Sequence, residues 1–185
     1  MATVPAPEAF VIEGRHSLNG RIRTVGNKNG ALPLLAATLL AADPVTLTNV
    51  PRIRDVETMI ELLQGLGAGA AWTGPHEVRV DPSGLSSPEI DAGLAERIRA
   101  SFLLAGPLLA RFGGTHMPPP GGDVIGRRRL DPHLDAFRLL GARVEDRREE
   151  IILAAPLLGL NPCDFLMDEP SVMGTENALM AAALT

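Results

Sequence analysis

A single carboxylate lies close to three arginines in residues 118–133, PPPGGDVIGRRRLDPH. Asp123 follows two glycines, and Arg127 to Arg129 come soon after it. The bidentate geometry of a guanidinium suits phosphate and carboxylate groups, and a carboxyl group with a raised pKa can donate a proton. The segment is therefore either a solvated turn with incidental charges or a site that binds an anion and transfers a proton. Its glycines indicate a loop that can open and close over a ligand.

Three loop-to-helix junctions carry polar residues that the apolar helices after them do not require. The free N–H groups at a helix start attract anions, and a neighbouring cation strengthens that attraction. A simpler explanation also exists, since Asn, Ser and Thr cap helices and single Lys or Arg side chains are usually solvated. If the repeats described below pack around a pseudo-threefold axis, the junctions should lie near one another. They contain Lys28 and Asn29 in VGNKNGALP, Arg99 in ERIRAS, and Ser171, Thr175, Glu176 and Asn177 in PSVMGTEN.

The order of the predicted elements recurs along the chain. An apolar helix, a strand, an amphipathic helix and a strand pair are predicted at 29–44, 45–50, 55–68 and 69–83. The same set is predicted again at 96–113, 114–122, 130–142 and 143–155. Leu-Gly-Ala ends both amphipathic helices, at 66–68 and 140–142. A further apolar helix begins near Ser171 or Thr175, so we expect two copies of one unit and the start of a third.

The first residues predict a flexible segment followed by a hairpin. Residues 1–9 have no regular pattern, whereas 10–26, FVIEGRHSLNGRIRTVG, alternate apolar and polar residues and contain Asn19-Gly20, which favours two strands. The first ten residues lack the charged and apolar parts of a secretory signal. No apolar run reaches transmembrane length. We therefore expect a cytoplasmic protein with no membrane partner.

Composition excludes several classes of function. The 185 residues carry a formal net charge of −5 and only 3% aromatic residues, which disfavours a nucleic-acid partner. Cys163 is the one cysteine, so no disulfide framework is possible within the chain, and we expect this thiol to be at least partly buried. The four histidines show no metal-binding spacing, and we expect no metal site.

Five segments together resemble the UDP-N-acetylglucosamine enolpyruvyl transferases of the EPSP synthase superfamily. The resemblance runs from about Phe10 to Thr185, and the order and spacing of the segments make it specific. EPSP synthases share the fold but match the first segment and the arginines less well. The segments are GNKNGALPLLAATLLA, NVPRIRDVETMIELLQGLGA, RIRASFLLAGPLLARFG, PPGGDVIGRRRLDPHLDAFRLLGA and PSVMGTENALMAAAL.

The resemblance implies an α/β fold of the inverse α/β barrel type, with domains built from three βαβαββ units each. Here two units and the start of a third would be present. Residues 10–26 would be the first strands of the other, mostly absent domain, and 27–185 an incomplete enolpyruvyl transferase domain. We therefore expect a truncated chain whose site needs the missing C-terminal half.

The implied reaction transfers the enolpyruvyl group of phosphoenolpyruvate to the 3-hydroxyl of UDP-N-acetylglucosamine and releases phosphate. It is the first committed step of peptidoglycan synthesis, and it needs no cofactor. The partners would be these two small molecules. The alternative is a non-catalytic UDP-sugar-binding fragment or a regulatory paralogue, and EPSP synthase activity is a third, weaker option.

The resemblance also implies roles for individual residues. Asp123 occupies a position where many family members carry cysteine and others aspartate, and it would be the catalytic proton donor. Lys28 and Asn29 would contact phosphoenolpyruvate and the neighbouring substrate, and Arg99 the sugar nucleotide. The remaining implied substrate-binding residues are Arg128, Arg129, Leu130, Asp131, Ser171 and Val172.

Some of these assignments have alternatives or depart from the family pattern. Asp131 could cap the helix that follows it, and the arginines that flank Arg128 could be solvated or could add positive field. The family usually continues Ser-Val with Gly, whereas this chain has Met173 before Gly174. That difference affects the expected fit of the diphosphate or uracil.

Overall fold

The computed structural model describes residues 9–122 and 129–185, which form two α/β units and one further helix. The first unit consists of helix α1, strand β1, helix α2 and strands β2 and β3. Their bounds are Lys28–Ala37, Val45–Thr48, Arg54–Gly65, Gly69–Gly74 and Glu77–Asp81. A short 3-10 turn, Thr38–Leu40, extends α1. A second 3-10 turn, Pro82–Gly84, and a one-turn helix α3, Ala92–Ala95, connect the units.

The second unit repeats this order. It begins with a 3-10 helix that continues into helix α4, followed by strand β4, helix α5 and strands β5 and β6. Their bounds are Arg99–Leu104, Ala105–Phe112, Gly114–Met117, Asp131–Leu139, Arg143–Asp146 and Ile151–Ala154. Helix α6, Val172–Ala182, then begins the third repeat. The predicted repeat is confirmed as a succession of elements.

The two sheets have the same topology, which confirms the repeat in three dimensions. The strand orders are β1-β3-β2 and β4-β6-β5, so the last strand of each unit is central. Every neighbouring pair is antiparallel, with Val45 opposite Val80 in the first sheet and Thr115 opposite Leu153 in the second. The amphipathic helix of each unit connects its two outer strands.

The repeated Leu-Gly-Ala has a physical cause in the way both amphipathic helices end. Gly67 and Gly141 adopt left-handed φ values of 97° and 90°, which glycine tolerates without strain. In α2 the Ala68 N–H donates to Leu63 O at 3.0 Å, and the Gly67 N–H donates to Gln64 O at 2.9 Å. The equivalent bonds after α5 close the same Schellman motif.

A shared apolar core joins the units. Leu35 and Leu39 from the first unit, and Phe102, Leu108 and Phe137 from the second, are fully buried in one cluster. Helix α4 packs closely on α6, because a Cβ at Gly106 would lie 2.5 Å from the Asn177 carbonyl oxygen. The apolar helices α1, α4 and α6 therefore pack against one another through this core, together with the 3-10 segments beside α1 and α4.

The hairpin predicted at 10–26 is wrong for the described chain. Residues 9–26 contain no strand, and Phe10, Leu18 and Ile22 are more than nine-tenths exposed. A two-stranded ribbon is marginal in water unless one face packs on something, and nothing in the described chain covers these apolar side chains. Assignment of this segment to another domain stays a prediction.

The apolar helix predicted over 96–113 is interrupted. Residues Arg99–Leu104 are 3-10, and the α-helix begins only at Ala105. Pro107 has no N–H to donate to the carbonyl four residues earlier. In addition, the Asn177 side chain bonds to both Gly106 N and Phe102 O, which an α-helix would join to each other directly. A side chain inserted into the hydrogen-bond ladder is a recognised cause of such a break.

Candidate functional site

The three helix starts meet at one cavity of about 590 Å³. Lys28 and Asn29 come from the start of α1, Arg99 from the start of the 3-10 helix before α4, and Ser171 and Val172 from the start of α6. These five predicted residues belong to equivalent positions of three repeats, which explains why they converge. The prediction that the junctions lie near one another is confirmed.

The helix caps clarify which polar side chains the fold itself requires. The Asn27 side chain accepts a bond from the Asn29 N–H at 2.7 Å, so Asn27, not Asn29, caps α1. Ser171 caps α6 by accepting from the Gly174 N–H at 3.0 Å. Ser171 therefore already has a structural role, whereas the Asn29 side chain lines the cavity without capping its helix.

Positive charge dominates the described lining of the cavity. Four cationic side chains face it, while the chain as a whole carries a net charge of −5. The carboxylates among the described lining residues belong to Asp55 and Glu176, and burial raises the pKa of Glu176. Such a local excess of cations is suited to an anionic ligand. The cations are Lys28, Arg97, Arg99 and Arg129.

The ion pairs of the cavity are open to solvent. Lys28 Nζ lies 2.8 Å from Asp55 Oδ2, with both side chains about one-third to one-half exposed. Arg97 contacts Glu61 at 3.2 Å, outside the cavity. Exposed pairs of this kind contribute little to stability. A ligand anion can therefore replace Asp55 as the partner of Lys28 at small cost.

Arg129 and Asp131 form a bidentate pair, with both N–O distances at 2.8 Å. Their hydrogen bonds raise the pKa of Arg129 and lower that of Asp131. Asp131 is the first residue of α5 and does not cap it, because the cap position is Leu130 without a side-chain bond. The capping alternative for Asp131 is wrong.

The residues predicted around the arginine loop lie at two neighbouring cavities. Arg129 lines both the first cavity and a second one of about 430 Å³, Asp131 lines only the second of these two, and Leu130 packs against the core. Asp123 and Arg128 lie outside the described residues, so their roles stay predictions. Gly122 and Arg129, on either side of the undescribed segment, both line the main cavity.

The glycines before Asp123 allow two backbone segments to touch. The Gly121 N–H donates to Ala95 O at 3.3 Å, and the Gly122 N–H donates to Glu96 O at 3.2 Å. A Cβ at Gly121 would lie 1.7 Å from the Glu96 carbonyl oxygen. Gly122 has a left-handed φ of 94°. Close approach to the start of the Arg99 helix therefore requires these glycines, whether or not they also serve as hinges.

Two further residues differ from or qualify the sequence expectations. Cys163 is exposed, so the expected burial of this thiol is wrong. Met173, which departs from the family pattern, lines the cavity while its side chain packs partly against the core.

Within residues 9–122 and 129–185, no group of three or more His, Cys, Asp and Glu side chains is arranged to hold a metal ion. No helix in those ranges is long and apolar enough to cross a bilayer.

Sequence reasoning missed His133 as a residue of the cavity. It is only 3% exposed, lies edge-on to the Phe102 ring at 5.2 Å, and its Nδ1 is 3.0 Å from Asn177 Nδ2. Burial and then the positive charge of Arg99 lower the pKa of His133 from 6.5 to about 4. Metal-binding spacing does not identify it, whereas its place in the first turn of an amphipathic helix beside the arginine loop is a signal that could have.

The buried His133 should make the protein less stable in mild acid. Below pH 6.5 the unfolded chain binds a proton that the folded protein does not accept until about pH 4. Stability is therefore unaffected above pH 6.5 and falls by about 3 kcal/mol as the pH drops through this window. Urea unfolding of wild type and His133→Gln between pH 7 and 4 measures this, because the difference between them isolates the imidazole. A pH-independent difference would contradict the assignment.

Comparison with known proteins supports a family assignment. The family described as EPSP synthase (3-phosphoshikimate 1-carboxyvinyltransferase) matches residues 12–185. The chain is 52% identical over 177 residues to a UDP-N-acetylglucosamine 1-carboxyvinyltransferase of Bradyrhizobium diazoefficiens, and 45% identical over 175 residues to one of Treponema denticola. These alignments cover 96% and 95% of this chain and 40% of each relative. The chain thus spans about 40% of the length of these curated relatives.

Solved structures agree with the fold. The enolpyruvyl transferase NikO of Streptomyces tendae superposes with a TM-score of 0.73 at 26% identity, over 91% of this chain and 39% of that one. An EPSP synthase of Acinetobacter baumannii superposes with a TM-score of 0.65 at 15% identity, over 88% of this chain and 37% of that one. The mixed α/β arrangement is therefore shared with part of each of these larger chains.

Proposed function

Because the chain belongs to the EPSP synthase family of enolpyruvyl transferases, we propose that it supplies part of the active site of a UDP-N-acetylglucosamine 1-carboxyvinyltransferase. The reaction would transfer the enolpyruvyl group of phosphoenolpyruvate to the sugar 3-hydroxyl, with release of phosphate. It would commit the nucleotide sugar to peptidoglycan synthesis. The rest of the site would come from the part of the relatives that this chain does not span.

The observation that carries this proposal is the convergence of three helix starts on one cationic cavity. Phosphoenolpyruvate carries a phosphate and a carboxylate, and the nucleotide carries a diphosphate. Helix N-termini and guanidinium groups bind such anions well. A cavity of about 590 Å³ lies within the usual size range for small-molecule sites.

The choice of acceptor rests on sequence similarity. The relatives that are 52% and 45% identical are UDP-N-acetylglucosamine 1-carboxyvinyltransferases, whereas the EPSP synthase structure is 15% identical and supports the fold alone. We therefore favour a UDP-sugar over a shikimate as the hydroxyl substrate.

The charges at the cavity support the roles that the resemblance implies for individual residues. Lys28 would hold an anionic group of phosphoenolpyruvate, exchanging its Asp55 partner for the ligand, with Asn29 beside it. Arg99 and the start of α6, at Ser171 and Val172, would hold the nucleotide. The uridine part of the nucleotide would be bound by one segment, Arg129, Leu130 and Asp131. The two hydrogen bonds from Arg129 to Asp131 would fix the orientation of the Arg129 guanidinium.

Asp123 and Arg128 complete the proposed site. Asp123 would protonate the methylene carbon of phosphoenolpyruvate while the 3-hydroxyl oxygen bonds to the adjacent carbon and gives its proton to a base in the remainder of the site, forming a tetrahedral intermediate. A base of the site then takes a proton from the methyl carbon, the C–O bond to phosphate breaks with its electron pair leaving on phosphate, and the enolpyruvyl ether remains. Asp123 would assist departure of phosphate, and Arg128 would stabilise anionic oxygen by bidentate bonding.

We also propose that the fold is one part of a closed ring of three repeats, the inverse α/β barrel of the family. Helix α2 contacts both α1 and the 3-10 start of the second unit, and α5 contacts α6. A third amphipathic helix would occupy the equivalent position between α6 and α1. Leu34 of α1 and Leu179 of α6 are 56% and 67% exposed, and such a helix would cover apolar surface of this kind.

A non-catalytic UDP-sugar-binding role is the second candidate. One observation favours it: residues of this chain alone line the cationic cavity, so the cavity can bind a nucleotide sugar whether or not phosphoenolpyruvate reacts there. Such a protein would bind UDP-N-acetylglucosamine without releasing phosphate from phosphoenolpyruvate.

Phosphate release tests the proposed function. Residues 1–185 would be joined to the remainder of the Bradyrhizobium relative, at the end of the matched region. We expect this joined enzyme to release phosphate from phosphoenolpyruvate only when UDP-N-acetylglucosamine is present. The chain alone should release far less, and a Lys28→Met variant of the joined enzyme should lose most of its activity. No release from a folded joined enzyme would contradict the catalytic proposal, and nucleotide binding without release would support the binding role.

A further inference from the structure

The side chain of Asn177 is held in one orientation by the backbone of α4. Its Oδ1 accepts a bond from the Gly106 N–H at 2.8 Å, and its Nδ2 donates to Phe102 O at 2.7 Å. An N–H can only donate and a carbonyl can only accept, so the two ends of the amide cannot be exchanged. Asn177 is fully buried, and these bonds replace a missing helical one.

This orientation decides where the proton of His133 lies. Asn177 Nδ2 is a donor, and it lies 3.0 Å from His133 Nδ1. The Nδ1 atom must therefore be the acceptor, which leaves the single ring proton of the neutral imidazole on Nε2. The backbone of one helix thus selects the tautomer of a histidine on another helix.

The Nε2–H group of His133 faces the cavity. The ring lines the cavity, although the residue is 97% buried. Within the described residues, Nε2 has no hydrogen-bond partner, whereas every fully buried side-chain nitrogen or oxygen has one. Nε2 is therefore not fully buried. Because His133 lines the cavity, the Nε2–H group is accessible there as a fixed donor that is not yet used.

We propose that His133 Nε2–H donates a hydrogen bond to a phosphate oxygen of the ligand in this cavity, and that Asn177 is the positioning residue that fixes its tautomer. This inference rests on the proposed function for the identity of the ligand, a nucleoside diphosphate sugar. The described lining already holds the charges of Lys28, Arg97, Arg99 and Arg129 against those of Asp55 and Glu176.

A neutral donor suits this position better than another cation. The positive charge of Arg99 and the loss of water both disfavour an imidazolium, and they lower the pKa of His133 to about 4. The donor strength of His133 therefore does not change with pH in the neutral range. Its contribution is directional, because the ring is fixed by Asn177 on one side and by the edge-on contact with Phe102 on the other.

Two substitutions at His133 separate the donor from the packing role. In His133→Asn the amide oxygen can still accept from Asn177, but no group reaches the cavity. In His133→Gln the longer amide can place an N–H near the position of Nε2. Calorimetric titration with UDP-N-acetylglucosamine should show binding weakened about 10- to 100-fold in His133→Asn and within about threefold of wild type in His133→Gln. His116→Asn, which changes a half-exposed histidine outside the described lining of the cavity, is the matched control and should bind as wild type.

Two further readouts distinguish this inference from a purely structural role. The ratio of wild-type to His133→Asn affinity should stay constant from pH 7 to 5.5, because a titrating imidazole would enlarge it whereas Glu176 affects both proteins equally. Nitrogen-15 NMR of the labelled imidazole should show the Nε2–H tautomer at pH 7. Equal affinity of His133→Asn and wild type, a ratio that rises in acid, or the Nδ1–H tautomer would overturn the proposal.

Pyrophosphate serves as a second probe so that the two proposals can fail separately. If wild type binds pyrophosphate but not UDP-N-acetylglucosamine, and His133→Asn loses pyrophosphate binding, the proposed substrate is wrong and the donor role of His133 stands. If wild type binds UDP-N-acetylglucosamine and His133→Asn binds it equally well, the donor role is wrong and the proposed substrate stands. Failure of wild type to bind either anion would overturn both.

Discussion

Asp123→Asn in the joined enzyme should reduce turnover by about 10²- to 10⁴-fold, the usual contribution of a positioned general acid. The amide keeps the size of the carboxyl group but cannot supply the proton that the methylene carbon of phosphoenolpyruvate requires. UDP-N-acetylglucosamine affinity should change little, because Asp123 is not among the proposed nucleotide contacts. Single-turnover phosphate release and calorimetric titration measure the two effects separately.

The proton-donor role requires the pKa of Asp123 to rise when substrates bind. An aspartic acid titrates near 3.9 in water, and neighbouring arginines lower that value. Arg99 and Arg129 line the cavity beside the segment that contains Asp123. The phosphate and carboxylate groups of the bound substrates would cancel their charge, and exclusion of water would disfavour the ionised carboxylate of Asp123. Both changes raise the pKa.

The matched control for Asp123→Asn is Asp146→Asn, the same change at an exposed position of β5. It should leave turnover unchanged. If Asp123→Asn retained wild-type turnover, the proton would have to come from elsewhere. Glu176 is then the group to test, since it is a carboxyl of the described cavity lining with a raised pKa. A large loss in Glu176→Gln together with an active Asp123→Asn would move the acid role to α6.

The sequence predicted those parts of the fold that depend on local pattern and repetition. Strands β1 to β6 and helices α2 and α5 occur where hydrophobic pattern and turn or stop residues placed them, and α6 begins where the repeat placed it. The convergence of the helix starts was also predictable, because equivalent positions of packed repeats must lie near a common axis. Lys28, Arg99 and Ser171, which line one cavity, could therefore be grouped from the sequence alone.

Other features could not be predicted because they depend on contacts between distant residues. The alternation of 10–26 is typical of strands, but a hairpin forms only if another surface covers one face, and sequence pattern cannot show whether such a surface is present. Insertion of Asn177 into the hydrogen-bond ladder before α4 joins residues more than 70 positions apart. The same long-range contact fixes His133, which explains why a search for local motifs overlooked it.

The role of Gly121 also depends on a distant contact, and it leads to the second large expected effect. Gly121→Ala should lower kcat of the joined enzyme by about 100-fold or more, because an error of about 1 Å in positioning reactive groups costs that much. The new Cβ would lie 1.7 Å from the Glu96 carbonyl oxygen, and neither atom belongs to a flexible side-chain end. The two segments must separate, which breaks the bonds from Gly121 to Ala95 O and from Gly122 to Glu96 O.

The consequence should be local, and this distinguishes it from general destabilisation. Gly121 lies outside the helices and strands, so its displacement moves the attachment point of Asp123 away from the Arg99 helix start while the core stays packed. We therefore expect a large loss of kcat with a small change in Tm. Gly65→Ala is the matched control, because a Cβ at the end of α2 meets nothing within 4 Å and should leave both quantities nearly unchanged. Wild-type kcat in a folded Gly121→Ala variant would show that the contact with Glu96 does not position the proton donor, and hinge motion would then be the better explanation for the paired glycines.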